Sequence, residues 1–249
     1  MKNVVLGLLA AVAMTGTASA ADMAARPYTK AAPIAVAMYN WTGFYAGING
    51  GGGWSHSCWD LQVPNVVAPE GCHNATGGTI GGQIGYRWQS TNWVFGVEAQ
   101  GNWADFTGSR VSQQFFIVPG DASTHSTTRA FGLFTGQVGY AWNNALLYVK
   151  GGAAVTDNRY EHRFIPANLV FDTGSDTRWG GVVGVGLEYG FAPNWSVAVE
   201  YDHLFMQEKT VNFRIATGVL SNIDRIRQDV DVATLRVNYR FGGPVVARY

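Results

Sequence analysis

Two cysteines, Cys58 and Cys72, stand in one short stretch with His56 and His73 beside them. In an oxidising compartment such a pair is expected to form a disulfide, which constrains the unfolded chain by roughly 3 kcal/mol on the loop-entropy account. A metal site built from the same four residues is the alternative, although the set lacks a Cys-x-x-Cys pair. Of the five histidines, His56, His73, His125 and His162 fall in stretches without strand pattern, and His203 alone has an outward position on a predicted strand. No serine stands two residues from His203, so a Ser/His/acid set is not expected, and neither is an enzyme. The glycine runs 47–53 and 184–190 lie inside strand patterns with no helix after them, so the phosphate-cradling geometry is missing and no cofactor is expected.

Charged side chains form the second constellation. Arg87, Lys150, Arg236 and Arg240 are matched in number by Glu98, Glu188, Glu200 and Asp202, within stretches whose alternate positions are apolar. Successive strand side chains point to opposite faces, so these eight residues share one face. Unpaired, each would be costly to bury, and the expected arrangement is a crossed network of ion pairs and hydrogen bonds rather than acid/base dyads.

The elements that must position these residues are strands. In the last one, Val230 to Phe241, residues Ala233, Leu235, Val237, Tyr239 and Phe241 fall on one face and Thr234, Arg236, Asn238 and Arg240 on the other. The same contrast predicts strands at Trp41 to Trp54, Thr76 to Gln89, Asn92 to Ala104, Thr128 to Trp142, Ala145 to Thr156, Arg178 to Phe191, Trp195 to Met206 and Asp229 to Phe241. Ser90-Thr91, Asn143-Asn144 and Ala192-Pro193-Asn194 read as tight turns, whereas 55–75, 105–127, 157–177 and 207–228 read as long loops. Short and long connections alternate, with both termini on the short side.

The outward positions Phe44, Ile48, Ile84, Val97, Phe134, Val149, Val185, Leu187 and Val199 are all uncharged. Aromatic residues cluster where that face ends. Trp88, Trp93, Trp142, Phe191, Trp195 and Phe241 lie near the short turns, and Trp54, Trp103, Trp179 and Phe205 near the long segments. Lipid outside, a polar lumen inside and two aromatic girdles predict an all-β fold, an eight-stranded antiparallel up-and-down transmembrane β-barrel. A barrel of that size is wide enough only for side chains to fill. Inward glycines (Gly43, Gly47, Gly81, Gly85, Gly96, Gly152, Gly184, Gly186) would make room for Tyr45, Gln83, Gln100 and Arg236, so the lumen is expected to be a plug.

Composition agrees: charged residues are 14% and aromatics 13% of 249 residues, with 32 glycines and zero formal net charge, which leaves no electrostatic footprint for nucleic acid. Residues 1–20 read as a signal peptide, with Lys2, an apolar core from Val4 to Met14 and the small-residue site Ala18-Ser19-Ala20. Residues 21–40, with Pro27 and Pro33, read as an extended linker on the periplasmic side, 41–241 as the barrel and 242–249 as a C-terminal tail.

At Tyr39 to Trp54 (YNWTGFYAGINGGGGW) and Leu235 to Tyr249 (LRVNYRFGGPVVARY) the chain resembles the alphaproteobacterial twenty-five/thirty-one kilodalton outer-membrane antigen family, the RopB group, with an OmpA-like barrel. That resemblance implies a bacterial outer-membrane protein that supports envelope integrity and displays surface loops, and in some relatives a porin-like one. It also implies that Tyr239 and Phe241 belong to the signal read by the barrel-assembly machinery. Outer-membrane lipid and lipopolysaccharide are the expected surroundings. A small-solute channel is the alternative function, and capture of a partner by the loops leaves no mark in the sequence.

Overall fold

The computed structural model describes residues 39–63, 66–111 and 121–242. The signal peptide, most of the linker and residues 243–249 of the tail lie outside them. Nine strands follow one another: β1 Gly43–Val63, β2 Val66–Ser90, β3 Trp93–Val111, β4 Ala122–Trp142, β5 Ala145–Phe164, β6 Leu169–Ala192, β7 Trp195–Met206, β8 Lys209–Ile215 and β9 Leu220–Arg240. Neighbours pair antiparallel, and β1 also pairs with β9, from Tyr45↔Arg240 to Leu61↔Asp224, so the sheet closes. β7 and β8 are two parts of one spanning strand, interrupted at Gln207-Glu208, and both pair with β9. Counted this way eight strands cross the belt.

The long segments expected as loops are instead continuations of the sheet. β1 and β2 stay paired from Gly43↔Arg87 to Val63↔Val66, and β4 and β5 from Trp142↔Ala145 to Ala122↔Phe164. The physical reason is that alternation persists while its chemistry inverts. Beyond Trp54, the outward His56 and Cys58 are polar or small, and the inward Ser55, Ser57 and Trp59 are buried. A rule that seeks apolar outward positions stops at the girdle, where lipid contact stops, but backbone pairing does not.

In the belt, outward side chains are exposed: Phe44 is 66% and Ile80 66% accessible, whereas Arg236 is 1%. Trp88 stacks on Phe95 at 6.4 Å, Trp93 meets Tyr140 edge-on at 5.6 Å, and Trp195 meets Tyr239 at 5.0 Å, which builds the ring at the short-turn end. Trp142 is exposed at the same level. Trp54, Trp103 and Trp179 are exposed where the belt gives way to the extension, and Trp54 lies 6.3 Å from Tyr201. Bulges punctuate the far end of several ladders. The one at Arg129 flips the parity of β4, turning Thr128 and Ser126 inward above an inward Phe131 and Leu133.

One side of β6 loses its ladder for a few residues. Pairing with β7 ends at Gly180↔Met206 and resumes with β8 only at Thr173↔Arg214. Across the interruption the Lys209 ammonium donates to the Thr177 carbonyl at 2.8 Å and pairs with Asp176, so a side chain replaces the missing rungs.

Candidate functional site

The lumen is organised by two matching rungs. On β1–β2–β3, Tyr45, Gly85 and Glu98 stand side by side, and the Tyr45 hydroxyl reaches across the glycine to donate to Glu98 at 2.6 Å. On β5–β6–β7, Tyr148, Gly186 and Glu200 repeat the arrangement, with the Tyr148 hydroxyl donating to Glu200 at 2.6 Å. A Cβ on either glycine would fall into the tyrosine ring. Arg236, on β9 between the two halves, bonds both carboxylates: its Nη2 donates to Glu98 at 2.5 Å and its Nη1 to Glu200.

Around this centre the other charges take their places. Lys150 Nζ lies 2.7 Å from Glu200, 3.2 Å from Asp202 and 3.7 Å from Glu98. Arg87 pairs with Glu188 at 2.8 Å and lies over the Tyr45 ring at 4.4 Å. Glu188 also accepts from Ser196 at 2.5 Å and from Asn238 at 2.9 Å. Seven of the eight sequence-assigned charges therefore meet as ion pairs. Arg240 differs: it donates to the carbonyls of Thr42 (3.3 Å) and Pro193 (3.1 Å) and lies over Tyr39. Its place at the short-turn end puts backbone carbonyls within reach where the carboxylates are not.

Layers close on both sides of the network. Toward the termini, Tyr39 and Trp41 turn into the barrel mouth and pack with Val94, Ala141, Leu146 and Tyr148. Tyr39 was expected in the linker, but it fills the space left by Gly190, where a Cβ would strike its ring. Toward the far end, an amide layer links Asn102 to Asn49 at 2.6 Å, Asn49 to Gln83 at 2.7 Å and Gln83 to Asn238 at 2.7 Å. Next comes an apolar layer, formed by Ala75, Phe106, Phe131, Leu133, Ala154, Val182, Leu204, Met206, Val230 and Val232, all nearly inaccessible. This layer was missed from sequence, although Leu133, Val182 and Leu204 at inward parity were its visible signal.

Polar groups return in the extension beyond the belt. Arg178 donates to Asp176 at 3.0 Å, to the Ile226 carbonyl at 3.0 Å and to the Tyr160 hydroxyl at 3.3 Å. His162 meets Asp172 at 2.6 Å beside Phe213 and Trp59, so this histidine is inside the sheet and not in a loop. Burial pushes the Tyr160 phenol up to about 12, against the pull of Arg178. Burial likewise holds the His73 imidazole down at about 4, with the Arg110 guanidinium as the next cause, while His73 bonds Ser126 at 2.7 Å. Cys58 and Cys72 are bonded, and their Cα atoms are 4.1 Å apart as directly opposed residues of the β1–β2 ladder. The bond is thus a rung of the sheet and not a loop closure outside it. His56 lies 3.5 Å from Cys58 Sγ, but oxidised sulfurs are poor ligands, so the metal alternative fails on the donor set.

His203 keeps its outward position. Its Nδ1 and the Tyr201 hydroxyl share one oxygen of Asp231, at 2.6 and 2.5 Å, as a tie between β7 and β9.

These features place the chain among known proteins. The sequence matches the family described as outer membrane protein beta-barrel domain over residues 7–241. It is 30% identical over 255 residues to the 31 kDa outer-membrane immunogenic protein of Brucella melitensis biotype 1, covering 97% of this chain and 100% of that protein, and equally so to the one of Brucella suis biovar 1. The crystal structure of the outer membrane protease OmpT from Escherichia coli shares the fold, with a TM-score of 0.50 and 11% identity over 80% of this chain and 97% of that one. The chain belongs to the outer-membrane β-barrel family, in its alphaproteobacterial antigen branch, and resides in the bacterial outer membrane.

Proposed function

We propose that this chain is a structural outer-membrane protein: the apolar belt anchors it, the filled lumen seals it, and the paired extension is displayed outside. The observation that carries this reading is the stacking of a charged network, an amide layer and a dry layer of ten apolar residues along one narrow bore. A small-solute channel needs a continuous hydrated path, and close-packed apolar side chains offer water no partners. In this reading residues 1–20 are removed on export, 21–38 stay periplasmic, and Tyr239 and Phe241 present the end of β9 to the barrel-assembly machinery. The Asp231 cluster serves as a cross-strand tie and not a catalytic set, in keeping with relatives named as outer-membrane immunogenic proteins. Liposome swelling tests the reading: vesicles carrying folded protein should swell in arabinose no faster than empty ones, and a rate that rises with protein content overturns it.

A further inference from the structure

Beyond the Trp54 level, two neighbouring outward rungs of the β1–β2 ladder bring four side chains together. His56 opposes Asn74, and two residues further along β1 Cys58 opposes Cys72. Cys72 is exposed and Cys58 half-buried. The His56 Nδ1 meets the Asn74 Oδ1 at 2.7 Å. That oxygen can only accept, so Nδ1 carries a proton and Nε2 is left facing the disulfide, 3.5 Å from Cys58 Sγ. The opposed Cα atoms of Cys58 and Cys72 stand 4.1 Å apart, the close spacing of a non-hydrogen-bonded pair, so the Cys72 carbonyl points away from β1. It accepts from Arg110 Nη1, because the paired rungs of β2 and β3 stop at Thr76↔Thr107. An arginine side chain, not a ladder rung, therefore borders the side of Cys72 that faces away from Cys58.

We propose that this rung is a redox-active site that exchanges with small free thiols: Cys72 is the sulfur attacked, Cys58 the leaving group, and His56 the proton donor to it. Displacement at a disulfide runs in line, so a thiolate entering from the Arg110 side reaches Cys72 Sγ opposite the Cys58 sulfur. A bond forms between the thiol sulfur and Cys72, the Cys58–Cys72 bond breaks, and its electron pair stays on Cys58 Sγ. The protonated imidazole donates from Nε2 to that thiolate and takes a proton back from water. A second thiol then attacks the mixed disulfide and releases Cys72, so two thiols are oxidised to their disulfide while the cysteine pair is reduced. The reverse sequence re-forms the rung. Two features set the order of attack: exposure favours Cys72 as the target, and a thiolate that gains a hydrogen bond leaves faster, which favours departure of Cys58. Arg227, opposite Cys58 on β9, is engaged by Glu208 at 2.8 Å, which leaves the His56 ring as the donor at this sulfur. Both sulfurs lie in the sheet wall and not on a projecting loop, a placement that suits a small thiol. This chemistry is the same whichever side of the membrane the extension faces.

The full mature chain, folded in detergent, would be treated with glutathione, the freed thiols capped with N-ethylmaleimide, and the adducts located by peptide mass spectrometry. Native wild-type protein should carry glutathione on Cys72 and maleimide on Cys58, with the opposite arrangement at roughly a fifth of that level or less. His56→Ala should slow adduct formation about tenfold and weaken that preference, and imidazole added to the solution should restore part of the lost rate. Arg159→Gln, on β5 with three strands between it and β1, should change nothing, each variant first shown to keep its heat-modifiable folded band. Adducts that form only as fast as the barrel unfolds, or equal trapping at the two cysteines, overturn the proposal. So does a His56→Ala rate that matches wild type or that imidazole fails to raise.

Discussion

Tyr148 and Gly186 stand directly opposite each other on β5 and β6, and the tyrosine ring occupies the space a side chain at 186 would need. The contact lets the hydroxyl reach Glu200 on the next strand. Gly186→Ala should therefore displace the ring and break that bond, at about 1–3 kcal/mol for overpacking. The outward Gly151→Ala, with nothing nearer than 3.6 Å to the added carbon, should be neutral. Urea unfolding followed by gel mobility separates the two. Equal stability would mean that the rung is not tightly packed.

The register of β9 is open to test at Val237, which faces lipid and pairs with Val197 and Ile48. Val237→Arg should cost roughly 2–4 kcal/mol if it lies near the midplane, whereas Val237→Phe should assemble normally. Its neighbour Asn238 is no spare lumen position, because it donates to Glu188 and accepts from Gln83. Arginine there would lose both bonds as well as crowd the bore. Equal yields of folded Val237→Arg and Val237→Phe would mean a slip of one residue.

The disulfide should act locally. Because Cys58 and Cys72 form a rung above the belt, reduction should raise amide exchange in residues 55–60 and 71–75 at least tenfold and leave the belt strands protected. Exchange unchanged across the hairpin would show that the ladder there holds without it.

His73 gives a pH signature with a defined sign. Its folded value of about 4 lies below the ordinary 6.5, so between these values the unfolded chain binds more protons. The stability linked to this ring is complete above pH 6.5, falls as pH drops through that window, and falls no further below 4. An imidazole NMR titration should find the ring neutral at pH 5.5, and His73→Gln should flatten the slope of stability against pH. A midpoint near 6.5 would contradict the burial.

Much of this could be read from residue order. Period-2 alternation located the belt, and Arg236 and Glu98 were assigned inward by parity alone. The pairing of those two could not be read, since parity fixes a face and register fixes a partner. The Tyr–Gly–Glu rungs needed three aligned strands to become visible. The extension was hidden for a different reason: past Trp54 the outward residues turn polar, as His56 does, so the apolar signal ends while the hydrogen-bonded ladder runs on. In β4 the bulge at Arg129 reverses which residues face in, and no pattern of fixed period reports that.

Single-channel recording in planar bilayers tests the sealed lumen most directly. Wild-type protein, folded and inserted, should give no reproducible conductance steps. A variant with the apolar layer opened, Phe106→Ser with Leu204→Ser, should produce intermittent leak, because both side chains are fully buried in that layer. Stable, uniform steps from the wild-type protein would contradict the account.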